Sequence, residues 1–257
     1  MNKYPICIIS KDRHDTCTTH LLFDNYNIKY YYMVEPQDYD LYKSKFKNVI
    51  NIQENNLGIY YARNFCIDWS KKNGYDKHWQ ADDDIKSFYY RPKTEKYRDR
   101  IKINNPTKML LEMENTSNVC VNFGASCISH DGFVFSKKND IDINKMIYCF
   151  QLINNNTFAR YQPDISEDID FSLQLLFQNY VTLIYNTYSF TTPQSGSMQG
   201  GCNASVDYNN NGRKKRNIEL VNKYPQWFNE YTKKGQSEIK PSQVWKKFKQ
   251  KPMMRNV

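Results

Sequence analysis

The chain has 257 residues, of which 40% are hydrophobic and 25% charged, so it is long and apolar enough to bury a real core in one large or two modest domains, as an ordinary globular protein does. A formal net charge of +9 points to a polyanionic partner, although an enzyme that binds a nucleotide also needs local positive charge. The apolar run Ile6-Cys7-Ile8-Ile9 is too short for a signal-peptide core and no later run is long enough to cross a bilayer, while the seven cysteines lack the close pairs of zinc or redox sites. The expectation is a soluble, cytoplasmic protein with reduced thiols, no membrane association and no obligate protein partner.

In chain order, residues 4–10 read as a buried strand, 16–25 as a helix, 29–35 as an aromatic strand, 38–46 as a helix and 48–53 as a third strand. This alternation predicts an α/β fold, a mainly parallel sheet flanked by helices in which ligands collect beyond the carboxyl ends of the strands. A helix over 59–72 stops at Gly74, where a left-handed cap is expected, and 75–81 forms the next strand. Residues 91–105, rich in Lys and Arg, read as a surface loop, followed by a helix over 107–115 and strand-like runs at 119–129 and 132–136 around an Asp131-Gly132 turn. The pattern closes with a helix over 168–177, a strand over 181–185, and a mobile loop or lid over 191–212. The expected division is a catalytic domain at 1–212 and a basic helical extension at 213–257.

The densest chemistry is Trp79-Gln80-Ala81-Asp82-Asp83-Asp84-Ile85, three carboxylates where a strand ends. Adjacent carboxylates repel, so keeping them together calls for a cation, and all-oxygen ligands favour Mg2+ or Mn2+ over zinc; a solvated acidic turn is the plain alternative. Upstream, Asn55-Asn56-Leu57-Gly58 precedes Ala62-Arg63-Asn64: the glycine lets backbone approach a ligand, and Arg63, one turn into the helix, offers planar donors to diphosphate oxygens. Later, Ser166-Glu167-Asp168-Ile169-Asp170 places an acidic pair at a helix start, as a general base or a simple cap.

The order of these motifs resembles the A-type glycosyltransferases, a Rossmann-like α/β fold (GT-A), and His78 to Ile85, with Val34-Glu35-Pro36-Gln37 upstream, is similar to the phage and TET-associated DNA glycosyltransferases, relatives of the base J glucosyltransferase. By motif order the resemblance covers residues 4–205. It implies an inverting, metal-dependent transfer of a sugar, glucose from UDP-glucose, to 5-hydroxymethyluracil or 5-hydroxymethylcytosine in DNA. Asp82 would meet the donor's ribose or sugar, Asp84 together with Asp82 would hold Mn2+ or Mg2+, and Asp83 would be a ligand or a support behind one. Ser10, Arg13, Glu35, Asn56, Gly58, Arg63 and Asn64 would bind the donor. Asp168 would be the base, with Glu167 the runner-up.

Many A-type enzymes add a C-terminal histidine to the metal, whereas His14, His20, His78 and His130 all precede the Glu167-Asp168 pair; diphosphate and water, or Gln199 or Asp207, would complete the shell. Gln199-Gly200-Gly201 is expected to close over donor and acceptor. Tyr90 and Arg91 in one basic run and Arg213, Lys214, Lys215 and Arg216 in another are expected to grip DNA. A glycan, lipid or protein acceptor is the alternative within the same enzyme class; a metal-dependent nuclease and a non-catalytic nucleic-acid module rank below both.

Overall fold

A computed structural model describes residues 2–95, 98–194, 197–201, 210–233, 236–240 and 243–255. Its first half alternates β1 (Ile6–Ile9), β2 (Tyr30–Val34), α1 (Tyr39–Lys45), β3 (Val49–Asn51), α2 (Ile59–Lys72) and β4 (Lys77–Asp82). The four strands run parallel in the order β3-β2-β1-β4. Because side chains alternate across a strand, Ile6, Ile8, Tyr32, Val34, Trp79 and Ala81 enter one core while Cys7 and Met33 meet Ala62 and Cys66 of α2 on the other face. Burial on both faces is why the apolar runs here are continuous.

Beyond β4 the sheet becomes mixed. In chain order come β5 (Ser87–Tyr90), β6 (Ile101–Ile103), α3 (Thr107–Val119), β7 (Phe123–His130), β8 (Ile141–Ile143), β9 (Phe150–Asn154), α4 (Glu167–Phe177) and β10 (Val181–Thr191). The order continues β4-β9-β7-β10-β5-β6, with β8 also on β10. In this half, among the described residues, only β7 and β10 pair parallel; β9 is antiparallel to both β4 and β7, and β5 and β8 share one edge of β10. The expected parallel arrangement therefore describes one half of the sheet.

Several local expectations change for tertiary reasons. Residues 16–25 form two 3-10 turns, Thr19–Leu22 and Asp24–Tyr26, instead of an α-helix. Thr18 and Thr19 donate their backbone N–H groups to the Asp83 carbonyl at 2.9 and 3.2 Å, and Thr19 Oγ1 donates to the Asp82 carbonyl at 2.6 Å, so these groups serve the acidic turn and not a helical ladder. The expected strand over 132–136 begins as a 3-10 turn, Asp131–Phe133, and the expected loop over 91–105 contains β6.

The C-terminal part holds α5 (Asn210–Lys223), the hairpin of β11 (Glu230–Lys233) and β12 (Gln236–Ile239), and a 3-10 turn, Trp245–Lys247, so it is not wholly helical and the expected division after 212 falls inside α5. It packs back on α4 and the end of α3: Gln250 Nε2 donates to the Leu176 carbonyl at 2.6 Å, and the N–H groups of Val121 and Arg255 meet the carbonyls of Met253 and Val119 at 2.7 and 2.8 Å. Among the described residues, Cys7, Cys17, Cys66, Cys120 and Cys127 are buried free thiols, and no helix is long and apolar enough to cross a membrane.

Candidate active site

The register of β1 against β4 pairs Ile9 with Asp82, which brings the loop after β1 against the acidic turn. Ser10 Oγ donates to Asp83 Oδ2 and lies 2.5 Å from the Tyr42 hydroxyl, and Arg13 Nη1 reaches Asp83 Oδ1 at 2.7 Å and Asp84 Oδ2 at 3.6 Å. Asp83 is buried with both oxygens engaged, so of its two expected roles the support is the one its contacts serve. Burial raises its carboxyl pKa, against the pull of Arg13 and Ser10. Asp84 is pushed up to about 6, by burial first and then by Asp82 and Asp83, with Arg13 opposing.

A second polar bridge crosses the ends of β2 and β3. Lys11 Nζ lies 2.9 Å from Glu35 Oε2 and 2.6 Å from Asn56 Oδ1, and Gln37 Nε2 donates to Glu35 at 3.0 Å. Gly58, at φ +91°, starts α2 in a conformation open to glycine and costly for other residues.

One turn into α2 the structure departs from expectation. Arg63 is only 3% exposed and does not line the cleft described below; its guanidinium meets Gln80 Oε1 at 3.4 Å, Asp82 Oδ1 at 3.3 Å and Asp168 Oδ1 at 4.0 Å, over the Tyr161 ring. Burial lowers its pKa, but Asp82 and Asp168 outweigh that and hold it above the usual arginine value. Arg63 thus orients two carboxylates from inside instead of presenting donors to a phosphate. Asn64 is likewise occupied: its amide donates to the Tyr161 carbonyl at 2.9 Å and accepts from the Tyr161 N–H at 3.0 Å, which pins the segment leading to α4.

Glu167 and Asp168 open α4. Asp168 retains 27% of its side chain exposed, and Oδ1 has no hydrogen-bond partner. Burial raises its pKa well above the carboxylate range, Arg63 pulls it down, and Glu167 and Asp82 add to the rise. Cys149, at φ +55°, accepts the Asp82 N–H on its carbonyl at 3.1 Å. Burial first, then Asp82 and Asp168, raise its thiol pKa, so it stays a protonated neighbour of those carboxylates. Nothing in its sequence context distinguishes Cys149 from the other cysteines.

These elements surround a cleft of about 610 Å3 at the carboxyl ends of the parallel strands. Ser10, Glu35, Asn56, Gly58, Asp82, Asp83, Glu167, Gly201, Lys215 and Arg216 line it, joined by Lys11, Asp12, Tyr60, Gln162 and Asp164, which the sequence reading passed over. Lys215 and Arg216, expected to grip DNA, therefore sit at this cleft. Arg213 pairs with Glu238 at 3.5 Å, and Lys214 is exposed.

Other expected contacts lie elsewhere. Arg91 is fully buried, ion-paired with Asp131 and donating to Ser189 Oγ and the Arg98 carbonyl at 3.2 Å each, so it cannot touch DNA; it ties β5 to the turn after β7. Tyr90 lines a separate pocket of about 410 Å3 with Tyr188 and Glu112. Gln199, Gly200 and Gly201 are clamped on the loop after β1: Arg13 donates to the carbonyls of Gln199 and Gly200 at 2.9 and 3.2 Å, and the Gly201 N–H reaches the Lys11 carbonyl at 2.9 Å. Asp207 lies outside the described residues, as do 195–196 and the rest of 202–209 in the expected lid.

Among the described residues no three His, Cys, Asp or Glu side chains form a ready cage for a metal ion. The donor set still fits Mg2+ or Mn2+, which need only one or two carboxylates when phosphate oxygens and water complete the shell. Asp82 and Asp84 are the part-exposed carboxylates of the turn; burial is the main cause of the raised Asp84 pKa, and the repulsion from Asp82 and Asp83 that adds to it is what a cation would relieve.

Carboxylates gathered at the strand-end cleft of an α/β fold make a candidate group-transfer site. Residues 4–201 of the 257 match the model of the TET-Associated Glycosyltransferase family, and the chain belongs to that family. No curated protein matches the chain.

Proposed function

We propose that this glycosyltransferase has the A-type fold and transfers glucose from UDP-glucose, with inversion, to the hydroxymethyl group of a 5-hydroxymethylpyrimidine in DNA. The observation that carries the reading is the convergence of Asp82 and Asp168 on one buried guanidinium, Arg63, beside the strand-end cleft that Asp82 and Glu167 line. In this reading Glu35, Asn56 and the open backbone at Gly58 hold the nucleotide. Asp82 and Asp84 would hold Mn2+ or Mg2+, which would supply charge neutralisation for the diphosphate. Asp168 takes the acceptor hydroxyl proton as its oxygen bonds to the anomeric carbon; the bond from that carbon to the phosphate oxygen breaks, and its electron pair leaves with the diphosphate. A carboxylate whose pKa is raised towards neutrality is matched to that task.

The DNA acceptor draws support from the family and the net charge of +9. It also draws support from an aromatic and basic surface after β5 and β7, where Phe133 is 67% exposed and Arg100 stacks 3.9 Å from the Tyr89 ring centroid. The test is to mix the protein with Mn2+, a panel of nucleotide sugars and DNA containing either hydroxymethyl base, digest to nucleosides and weigh the products. A hexose mass added to the modified base is expected; unchanged nucleosides, with sugar appearing on a free glycan, would transfer the acceptor role to glycans.

A further inference from the structure

The turn after β7 is held from several sides. Asp131 is buried, ion-paired with Arg91, accepts from Ser189 Oγ at 2.9 Å and lies 3.7 Å from Arg100 Nε. The Gly132 N–H donates to His130 Nδ1 at 3.1 Å, the His130 N–H donates to the Tyr148 hydroxyl at 3.0 Å, and Val134 is fully buried. Yet this turn leaves two large rings in water: Phe133 is 67% exposed and Phe135, whose ring lies 4.7 Å from the Arg91 guanidinium, is 47% exposed. An aromatic ring on a backbone already fixed loses little further freedom when a partner covers it, which is the property of a preorganised contact.

The sheet decides where that contact falls. β4 and β7 run in one direction, because each is antiparallel to β9 between them, and Cys127 stands opposite Gln151, which stands opposite Gln80. Three residues further on, His130 comes level with Asp83, so the turn leaves the sheet at the edge that carries the acidic turn, two strand spacings or about 10 Å to one side. The support of the turn also senses the proposed base: burial first, then Cys127, and more weakly Asp168 raise the pKa of the Tyr148 phenol. Exposed Lys86 and part-exposed Arg100, at the starts of β5 and β6, add positive charge on that side.

Asp168 itself is recessed, with 27% of its side chain exposed. A hydroxymethyl group on a stacked base sits in the major groove between two backbones, so its oxygen reaches a recessed carboxylate only when the base is turned out of the duplex. We infer that Phe133 enters the duplex and fills the gap that the hydroxymethylpyrimidine leaves, holding the extruded base towards Asp168. The inference rests on the reading of DNA as the acceptor. A ring in the gap offsets the stacking lost on extrusion, as wedge side chains do in other bent or opened duplexes.

The experiment gives the whole protein, with Mn2+ and the nucleotide sugar that supports transfer, two duplexes that differ only in whether the modified base is paired or faces a mismatch; product is weighed after digestion to nucleosides. A mismatched base costs less to extrude, so it depends less on the wedge. In Phe133→Ala, activity on the paired duplex relative to the mismatched one should fall about 10- to 100-fold, the size of one stacking contact, and Phe133→Trp, which keeps a ring, should restore the ratio. An unmoved ratio in Phe133→Ala, equal loss on both duplexes, or a ratio in Phe133→Trp as low as that of Phe133→Ala overturns the inference and leaves the DNA acceptor standing. An unaltered protein that modifies neither duplex would overturn the acceptor reading, and this inference with it.

Discussion

The two halves of the sheet build their share of the cleft differently. In the parallel half, each site residue follows its strand by one or a few positions: Ser10 after β1, Glu35 after β2, Asp83 after β4. The strands' common direction brings these residues to one edge, so local sequence suffices to assemble them. Elsewhere the lining residues include Glu167, Gly201, Lys215 and Arg216, far apart in the chain and carried by two helices and a clamped loop. Short-range order builds one end of the cleft, and long-range packing brings α4 and α5 against it.

Breaking the long-range side should cost most. Asp168→Asn removes the proposed base while preserving volume, and product formation measured by mass spectrometry should fall about 10^2- to 10^4-fold; retention of full activity would shift the role to Glu167. The activity of the unaltered enzyme should rise with pH through a value above the usual carboxylate range, since burial holds the Asp168 proton on at lower pH.

Arg63 joins the two halves through Asp82 and Asp168. Arg63→Met leaves both carboxylates without their buried counter-charge and should cost about 3–5 kcal/mol in denaturant unfolding. A loss below 1 kcal/mol would show that the pairs contribute little.

His78 tests the tie between β4 and the residue that follows β9. It is fully buried, with Nδ1 at 2.5 Å from Asn155 Oδ1 and Nε2 at 2.9 Å from the Gln80 amide nitrogen, which suits a neutral ring donating at Nδ1 and accepting at Nε2. Burial lowers its pKa from 6.5 to about 4. The unfolded chain therefore takes up the proton first: the stabilisation is fully present above pH 6.5 and is lost as pH falls from there to about 4, by ~3 kcal/mol in total. The decline should flatten in His78→Gln, compared by urea unfolding across that range.

Gly200 sharpens the clamp. At φ +75°, with an added Cβ falling 2.6 Å from the Asp12 carbonyl, Gly200→Val must displace the 199–201 segment, lowering stability by about 1–3 kcal/mol and weakening nucleotide binding. Unchanged binding would show that the clamp is only a connector. The smallest effect is expected at Asn64→Ala, which removes two hydrogen bonds to the Tyr161 backbone and should cost about 1–2 kcal/mol in unfolding, with nucleotide affinity little changed because Asn64 does not line the cleft.

Read as a sequence, the chain already disclosed its α/β alternation, the boundaries of α2, the strand-end position of Asp82 and the helix-start position of Glu167 and Asp168, because each depends on residues within a turn or two of itself. What surrounds a side chain is a different matter. That Arg63 points inward and Arg91 is buried against Asp131, that Asp83 is engaged by Ser10 and Arg13, and that a basic run at 213–216 sends Lys215 and Arg216 to the cleft were decided by tertiary packing. An arginine's letter carries its charge, but which carboxylate meets it depends on segments tens of residues away. The antiparallel β9, which turns the sheet from parallel to mixed and delivers Cys149 to Asp82, was settled in the same way, by its neighbours β4 and β7 and not by its own five residues.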